Sequence, residues 1–215
     1  MQQARSPLLP DVLRRGLKVV FCGTAPSRVS VARGAYYANP GNAFWRTLFV
    51  AGFVPLPVQP ADFRRLPEFG LGLTDLAKHH FGNDDELPAE AFDVLALKRR
   101  VQRFGPAILA FTSKNAAQAA LGQRADYGPQ RMAWGKTQLW VLPSPSGQAR
   151  RFWSETPWRL LATTIEASRQ VLTERRCFIY DFGRLARAAP ALGMIGDSRP
   201  GESACAATAP RSCPS

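Results

Sequence analysis

Between Leu17 and Trp45 the sequence runs LKVVFCGTAPSRVSVARGAYYANPGNAFW, and this stretch constrains the fold more than any other. Leu17–Cys22 reads as a buried strand, apolar from Val19 onward, with Gly23 as its breaker. Pro26 and Gly34 then punctuate a connection far too long for a hairpin turn. Asn42 caps a following helix, in which Phe44, Trp45, Leu48 and Phe49 recur at helical spacing. Long loops in compact domains tend to carry function. This one sits at the carboxyl end of a strand, where open α/β sheets bind their ligands.

The rest of the chain repeats the alternation. Residues 1–16 read as a short, poorly ordered arm or a single helical turn. Ala51–Pro60 reads as a turn and Asp62–Phe69 as a polar connection. Gly70–Leu76 (GLGLTDL) is a brief strand-like element ending at Thr74-Asp75, with His79, His80 and GNDDE as surface loop. Pro88–Phe104 carries a helical pattern anchored by Phe92, Leu95, Leu97 and Val101, broken by Gly105-Pro106. Ala107–Phe111 is a second buried strand, and Thr112–Asn115 opens a helix over Ala116–Leu121. Gln138–Leu142 is a third strand, and a long helix is expected over Arg151–Arg175, with Pro157 at its start or at a kink. Strands alternating with helices imply an α/β domain on a mainly parallel sheet, here 17–182. From about Gly183 the composition turns to Ala, Pro, Gly, Ser and Arg, so 183–215 reads as a mobile basic tail.

Charge points to a partner. The 215 residues hold 28 Lys and Arg against 16 Asp and Glu, a net charge of +12, which suits an acidic polymer such as nucleic acid. Lysine occurs only at Lys18, Lys78, Lys98, Lys114 and Lys136, so arginine carries most of that charge. Arginine forks onto phosphate, although a GC-rich genome gives the same bias. No apolar run is long enough to span a membrane and the N-terminus lacks a secretory h-region, so the expected location is the cytoplasm. Cys22, Cys177, Cys205 and Cys213 share no metal-ligand spacing, and neither metal nor cofactor is expected.

Loops that follow parallel strands converge on one edge of the sheet. Gly23–Ser27, Gly72–Asp75, Thr112–Asn115 and Pro143–Arg150 would therefore line one cleft, with Asp75, Ser144, Ser146 and Tyr37 inside and Lys114 and Arg150 on the rim. Such an aromatic, nearly uncharged pocket inside a basic rim suits a nucleobase better than a triphosphate. Walker-type, GxGxxG and HExxH motifs are all absent.

The segments KVVFCGTAPS, YYANPGNAFWRTLFVAGF, GLTDL and MAWGKTQLWVLPSPSGQAR, in that order over roughly 17–170, resemble the uracil-DNA glycosylase superfamily, most closely its mismatch-specific uracil/thymine branch. The resemblance implies a three-layer α/β/α fold and a monofunctional glycosylase that flips uracil out of DNA, and the unusual polar inventory of the pocket leaves room for another deaminated base such as hypoxanthine or xanthine. Its implied partner is uracil-containing or abasic DNA, bound by a monomer. Iron–sulfur members use four spaced cysteines, an arrangement absent here.

Two motifs depart from the branch. Its first loop reads Gly-x-Asn-Pro-Gly, and the Asn positions the attacking water. Here Gly23-Thr24-Ala25-Pro26-Ser27 puts Ala25 in that place, as in the B-type uracil-DNA glycosylases. Its wedge loop reads Asn-Pro-Ser-Gly-Leu-Ser-Arg, against Ser144-Pro145-Ser146-Gly147-Gln148-Ala149-Arg150 here. Ser144 can donate one hydrogen bond but cannot act as a cationic electrophile. Asp75 falls at a position near the flipped base, where a carboxylate could stabilise an oxocarbenium-like sugar, orient water or take a proton from the base edge. A helix N-cap or a surface carboxylate is its structural alternative. Tyr37 aligns with the aromatic that stacks on the base, Ser30 with a small pocket residue, and the Thr24–Ala25 backbone with base-holding groups. Asn42 is most simply the cap, with a pocket role second. Gln148 stands where the branch has an apolar wedge, and Ser113, Lys114, Ser146, Gly147 and Arg150 would contact DNA. The alternative to an enzyme is a protein of this fold that binds uracil-containing or abasic DNA with little turnover.

Overall fold

The computed structural model describes residues 6–167. The expected 183–215 tail, Cys177, Cys205 and Cys213, and the far end of the expected 151–175 helix lie outside them. Five strands form one sheet: β1 (Val19–Gly23), β2 (Leu71–Asp75), β3 (Ile108–Phe111), β4 (Gly128–Trp134) and β5 (Thr137–Val141), in the order β2-β1-β3-β5-β4. The pairs β1·β2, β1·β3 and β3·β5 are parallel, and β4 runs antiparallel to β5.

Side chains along a strand point alternately to the two faces, and the sheet separates two cores on that basis. Val19, Phe21, Leu71, Leu73, Ile108, Ala110 and Trp140 face one cluster. It is closed by Phe44, Trp45 and Leu48 of α2 (Phe44–Val50), by Phe63 and Leu66 of a 3₁₀ segment (Pro60–Phe69), and by Trp158 and Leu161 of α5 (156–167). Val20, Cys22, Leu109, Phe111, Leu139 and Val141 face the other, closed by Leu97 and Val101 of α3 (Val94–Phe104) and by Ala116, Ala117 and Ala120 of α4 (Lys114–Leu121). Helices on both faces of a mainly parallel sheet make the three-layer α/β/α arrangement.

The elements differ from the sequence reading in several places. The long loop after β1 contains a helix, α1 (Arg28–Arg33), which Ser27 caps by accepting from Ser30 N and Gly34 ends in the left-handed conformation. Two turns with a single buried residue, Ser30, leave almost no apolar period to read. The polar connection 62–69 is 3₁₀ helix with Phe63 and Leu66 in the core. Leu95 is not a core anchor: Asp93 caps α3, and the resulting phase buries Leu97 and Val101 and leaves Leu95 69% exposed. Strand β4 went unread because most of its residues are half or fully exposed, so no apolar alternation marks it. Arg151 and Phe152 belong to a 3₁₀ segment (Gly147–Phe152), and α5 starts only at 156, with Pro157 in its first turn.

The N-terminal arm is also packed. Leu9 and Val12 are buried, and Val12 and Leu73 exchange backbone hydrogen bonds of 2.9 and 3.1 Å.

Candidate active site

The strand order reverses around β1: the chain passes to β2 on one side and then crosses to β3 on the other. A crevice opens at the carboxyl ends of strands at such a point. Here it is a cleft of about 760 Å³, with Gly23 closing β1 and Thr24 after it, Asp75 closing β2, Thr112 and Ser113 after β3, and Ser144 after β5.

Asp75 lies at the cleft floor. It is 3% exposed, and its Oδ2 is buried with no hydrogen-bond partner. Asp75 pairs in register with Gly23, and a Cβ on Gly23 would stand 2.5 Å from Asp75 Oδ1, so only glycine leaves room for the carboxyl group. Burial pushes the Asp75 pKa from an ordinary 3.8 up to about 7; Lys78 and Arg100 pull it down, and Asp11 adds to the rise. The helix-cap alternative for Asp75 is thereby replaced by a buried acid at a strand end.

The charges behind Asp75 were not legible as a group. Lys78, 7% exposed, donates from Nζ to Leu9 O (2.8 Å) and Tyr36 OH (3.1 Å) and pairs with Asp11 Oδ1 at 2.8 Å. Thr74 Oγ1 donates to the same Asp11 oxygen at 2.7 Å, and Arg100 Nη2 donates to the Asp75 carbonyl at 3.1 Å. Residues 25 to 69 positions apart meet here, which no local pattern announces.

Tyr37 lines the cleft half-buried, with φ of +50°, the one non-glycine residue of positive φ among those described. A side chain there costs on the order of 1–3 kcal/mol and must be held from elsewhere. Its ring stacks on Phe44 at 4.0 Å and 19°, and its hydroxyl shares a 3.2 Å hydrogen bond with Thr112 Oγ1. Burial, and next the Asp75 charge, push the phenol well above its usual pKa, so it stays neutral.

Several hydroxyls are committed within the protein. Ser30 Oγ accepts from Ala38 N and bonds to Ser27 Oγ. Thr24 and Ser113 hydroxyls pair at 3.3 Å, and Ser113 Oγ also accepts from Ala116 N as the cap of α4. Ser144 Oγ accepts from Ser146 N at 3.3 Å, and Ser146 Oγ from Gln148 N at 3.4 Å. Asn42 is not the cap of α2 that the sequence suggests: the N-cap is Ala43, without a side-chain cap bond, and Asn42 Oδ1 accepts from Phe44 N at 2.9 Å as a local turn one residue before it, while the residue also lines the cleft. Ala25 lines it with no polar side chain.

Most of the expected site residues share this cleft: Asp75, Ser144, Thr24, Ala25, Ser30 and Tyr37, with Asn42, Ser113, Lys114, Ser146 and Gln148. Gly147 and Arg150 do not line it. Gly147 packs on the other motif, where an added Cβ would meet Gly41 O at 3.1 Å, and Arg150 is exposed outside the cleft. The Asn-Pro-Gly-Asn and Ser-Pro-Ser-Gly loops are further joined by Ala43 N donating to Pro145 O at 2.8 Å. Lys114 is half-buried and pairs with exposed Asp126 at 3.2 Å. Sequence reading missed Arg151, Phe152 and Tyr127, which also line the cleft. Among the described residues, no three His, Cys, Asp or Glu side chains come together as a metal site.

Residues 10–166 match the family model of the uracil DNA glycosylase superfamily, and the chain belongs to that superfamily. Among solved structures it is similar to the solution NMR structure of a provisionally assigned uracil DNA glycosylase from Methanosarcina acetivorans. That likeness has 24% identity and a TM-score of 0.50 over 74% of this chain and 96% of the other, and it concerns the fold.

Proposed function

We propose that this chain is a monofunctional DNA glycosylase, which flips uracil, or another deaminated base, into the cleft and hydrolyses its N-glycosidic bond. Family membership supports the class of reaction, and the observation that carries the reading is Asp75, a buried carboxyl group with an unpartnered oxygen on the cleft floor. In this mechanism the ionised Asp75 orients a water and accepts its proton. The water oxygen bonds to C1′ while the C1′–N bond breaks, and the base leaves with the electron pair. The same negative charge stabilises the cationic sugar. Tyr37 is the platform for the extruded base, fixed from behind by Phe44. Ser144 donates to the leaving base, and the Thr24–Ala25 backbone, Ser30 and Asn42 complete the pocket wall. Gln148 fills the gap left in the stack, and Lys114, Ser113 and Ser146 contact the backbone with Gly147 and Arg150 alongside.

Ala25 favours a second reading, because no side-chain amide stands there to position water. A protein of this fold could then hold uracil-containing or abasic DNA without turnover. One assay separates the two. Single- and double-stranded uracil oligonucleotides are incubated with the protein and treated with alkali. Excision predicts strand scission that Asp75→Ala abolishes. A tight gel shift without scission at stoichiometric protein would overturn the enzyme reading in favour of the second.

A further inference from the structure

Two aromatic side chains on the cleft stay exposed to solvent, and each carries a cation on its ring. Tyr127, 38% exposed, has Lys114 Nζ 4.7 Å from its ring centroid. Phe152, 59% exposed, has the Arg151 guanidinium at 4.6 Å. Both rings line the same cleft as Asp75 and Tyr37, yet they come from separate parts of the sheet's edge. Tyr127 immediately precedes β4, and Phe152 ends the 3₁₀ segment that follows the Ser-Pro-Ser-Gly loop.

Exposed apolar side chains scattered singly are ordinary, but these two line one cleft and each stands beside a cation. The second ingredient here is charge. An aromatic ring beside a Lys or Arg offers a stacking face for a base together with a cation for its phosphate, the combination by which single-stranded nucleic acid is held. Neither ring has the task of filling the base pocket, whose platform is Tyr37. In a duplex the bases next to an extruded nucleotide stay paired and stacked on their outer neighbours, with the wedge residue between them, so their faces are unavailable. In a single strand they are free.

We infer that Tyr127–Lys114 and Phe152–Arg151 form a two-part rim that stacks on the nucleotides flanking the extruded base, making single-stranded DNA the preferred substrate form. This rests on the glycosylase reading for the extruded base, but the rim's own binding does not require turnover.

The test measures fluorescence anisotropy of the full chain with an undamaged labelled strand of about 12 nucleotides, alone and as a duplex. Tyr127→Ala and Phe152→Ala should each weaken single-strand binding by about 5- to 150-fold and duplex binding by clearly less. Tyr127→Phe should bind like the wild type, because the ring is kept. Phe152→Leu should lose affinity nearly as Phe152→Ala does, because an apolar side chain without a π-face cannot replace stacking. Phe49→Ala, an aromatic 42% exposed on α2 and outside the cleft, should change nothing. Single-strand affinity within twofold of wild type in both alanine variants would overturn the inference. So would equal losses on strand and duplex, or full affinity in Phe152→Leu. Since the strand carries no uracil, a protein that never cleaves but shows this pattern removes the excision reading and leaves the rim standing.

Discussion

Replacing Asp75 with Asn keeps the shape of a buried side chain and removes its charge. In the wild type, burial raises the carboxyl pKa from 3.8 to about 7 against the opposing pull of Lys78 and Arg100. The protonated form is therefore the one that folding favours. Its contribution is complete below about pH 4 and is lost as pH rises through about 7. At 1.36 kcal/mol per pH unit, ionising this group in the folded protein costs about 4 kcal/mol at pH 8, of which less than half has appeared by pH 5. Asp75→Asn escapes that cost. Its stability advantage over wild type should grow by about 2–3 kcal/mol between pH 5 and pH 8 and stay level above that. Urea unfolding of both proteins at a series of pH values measures the gap through the midpoint at constant m-value. The same variant should have lost excision, so stability gained and activity lost would coincide in one substitution. Parallel stability profiles for the two proteins would refute the reasoning, since they would mean that Asp75 titrates as an ordinary solvated carboxylate.

Other outcomes follow from the same geometry. Excision by the wild type should rise with pH through about 7, as the carboxylate forms, and a single-turnover pH profile checks this. Gly23→Ala puts a methyl group 2.5 Å from Asp75 Oδ1, which should cost about 1–3 kcal/mol in urea unfolding and displace the carboxyl, with excision falling at least about tenfold. Asp11→Ala leaves the buried Lys78 without its counter-charge and should destabilise by about 3 kcal/mol, seen as a fall in thermal midpoint. Tyr37→Phe removes only the bond to Thr112, so a loss of about 1 kcal/mol with excision retained is expected; loss of excision would give the phenol, not the ring, the working role.

The layered fold was legible because it depends on local periodicity. Val19–Cys22 and Leu109–Phe111 are apolar runs of strand length, and Leu97 and Val101 repeat at helical spacing. Most of the pocket was legible because loops after parallel strands must converge, whatever their detail. What escaped depends on contacts distant in sequence or on surfaces with no pattern. Nothing in the sequence sets Lys78 apart from the other four lysines, and only the fold surrounds it with Leu9, Asp11 and Tyr36. Strand β4 has its hydrogen-bonding partner in β5 but too little buried face to announce it. Phe152 reads as part of a long helix because the 3₁₀ segment it ends has no buried residue to set its phase.

The arm over Leu9 to Val12 has a consequence for handling the protein. Strand β2 is at the edge of the sheet, and its outer backbone groups at Leu73 are taken by Val12. An uncovered edge of this kind is a template for pairing with another chain. A shortened version starting at Leu17, where the first strand reads as the start of the domain, would bare that edge and unpair Lys78 together. Such a fragment should self-associate in a concentration-dependent way, even where its helices and sheet still form.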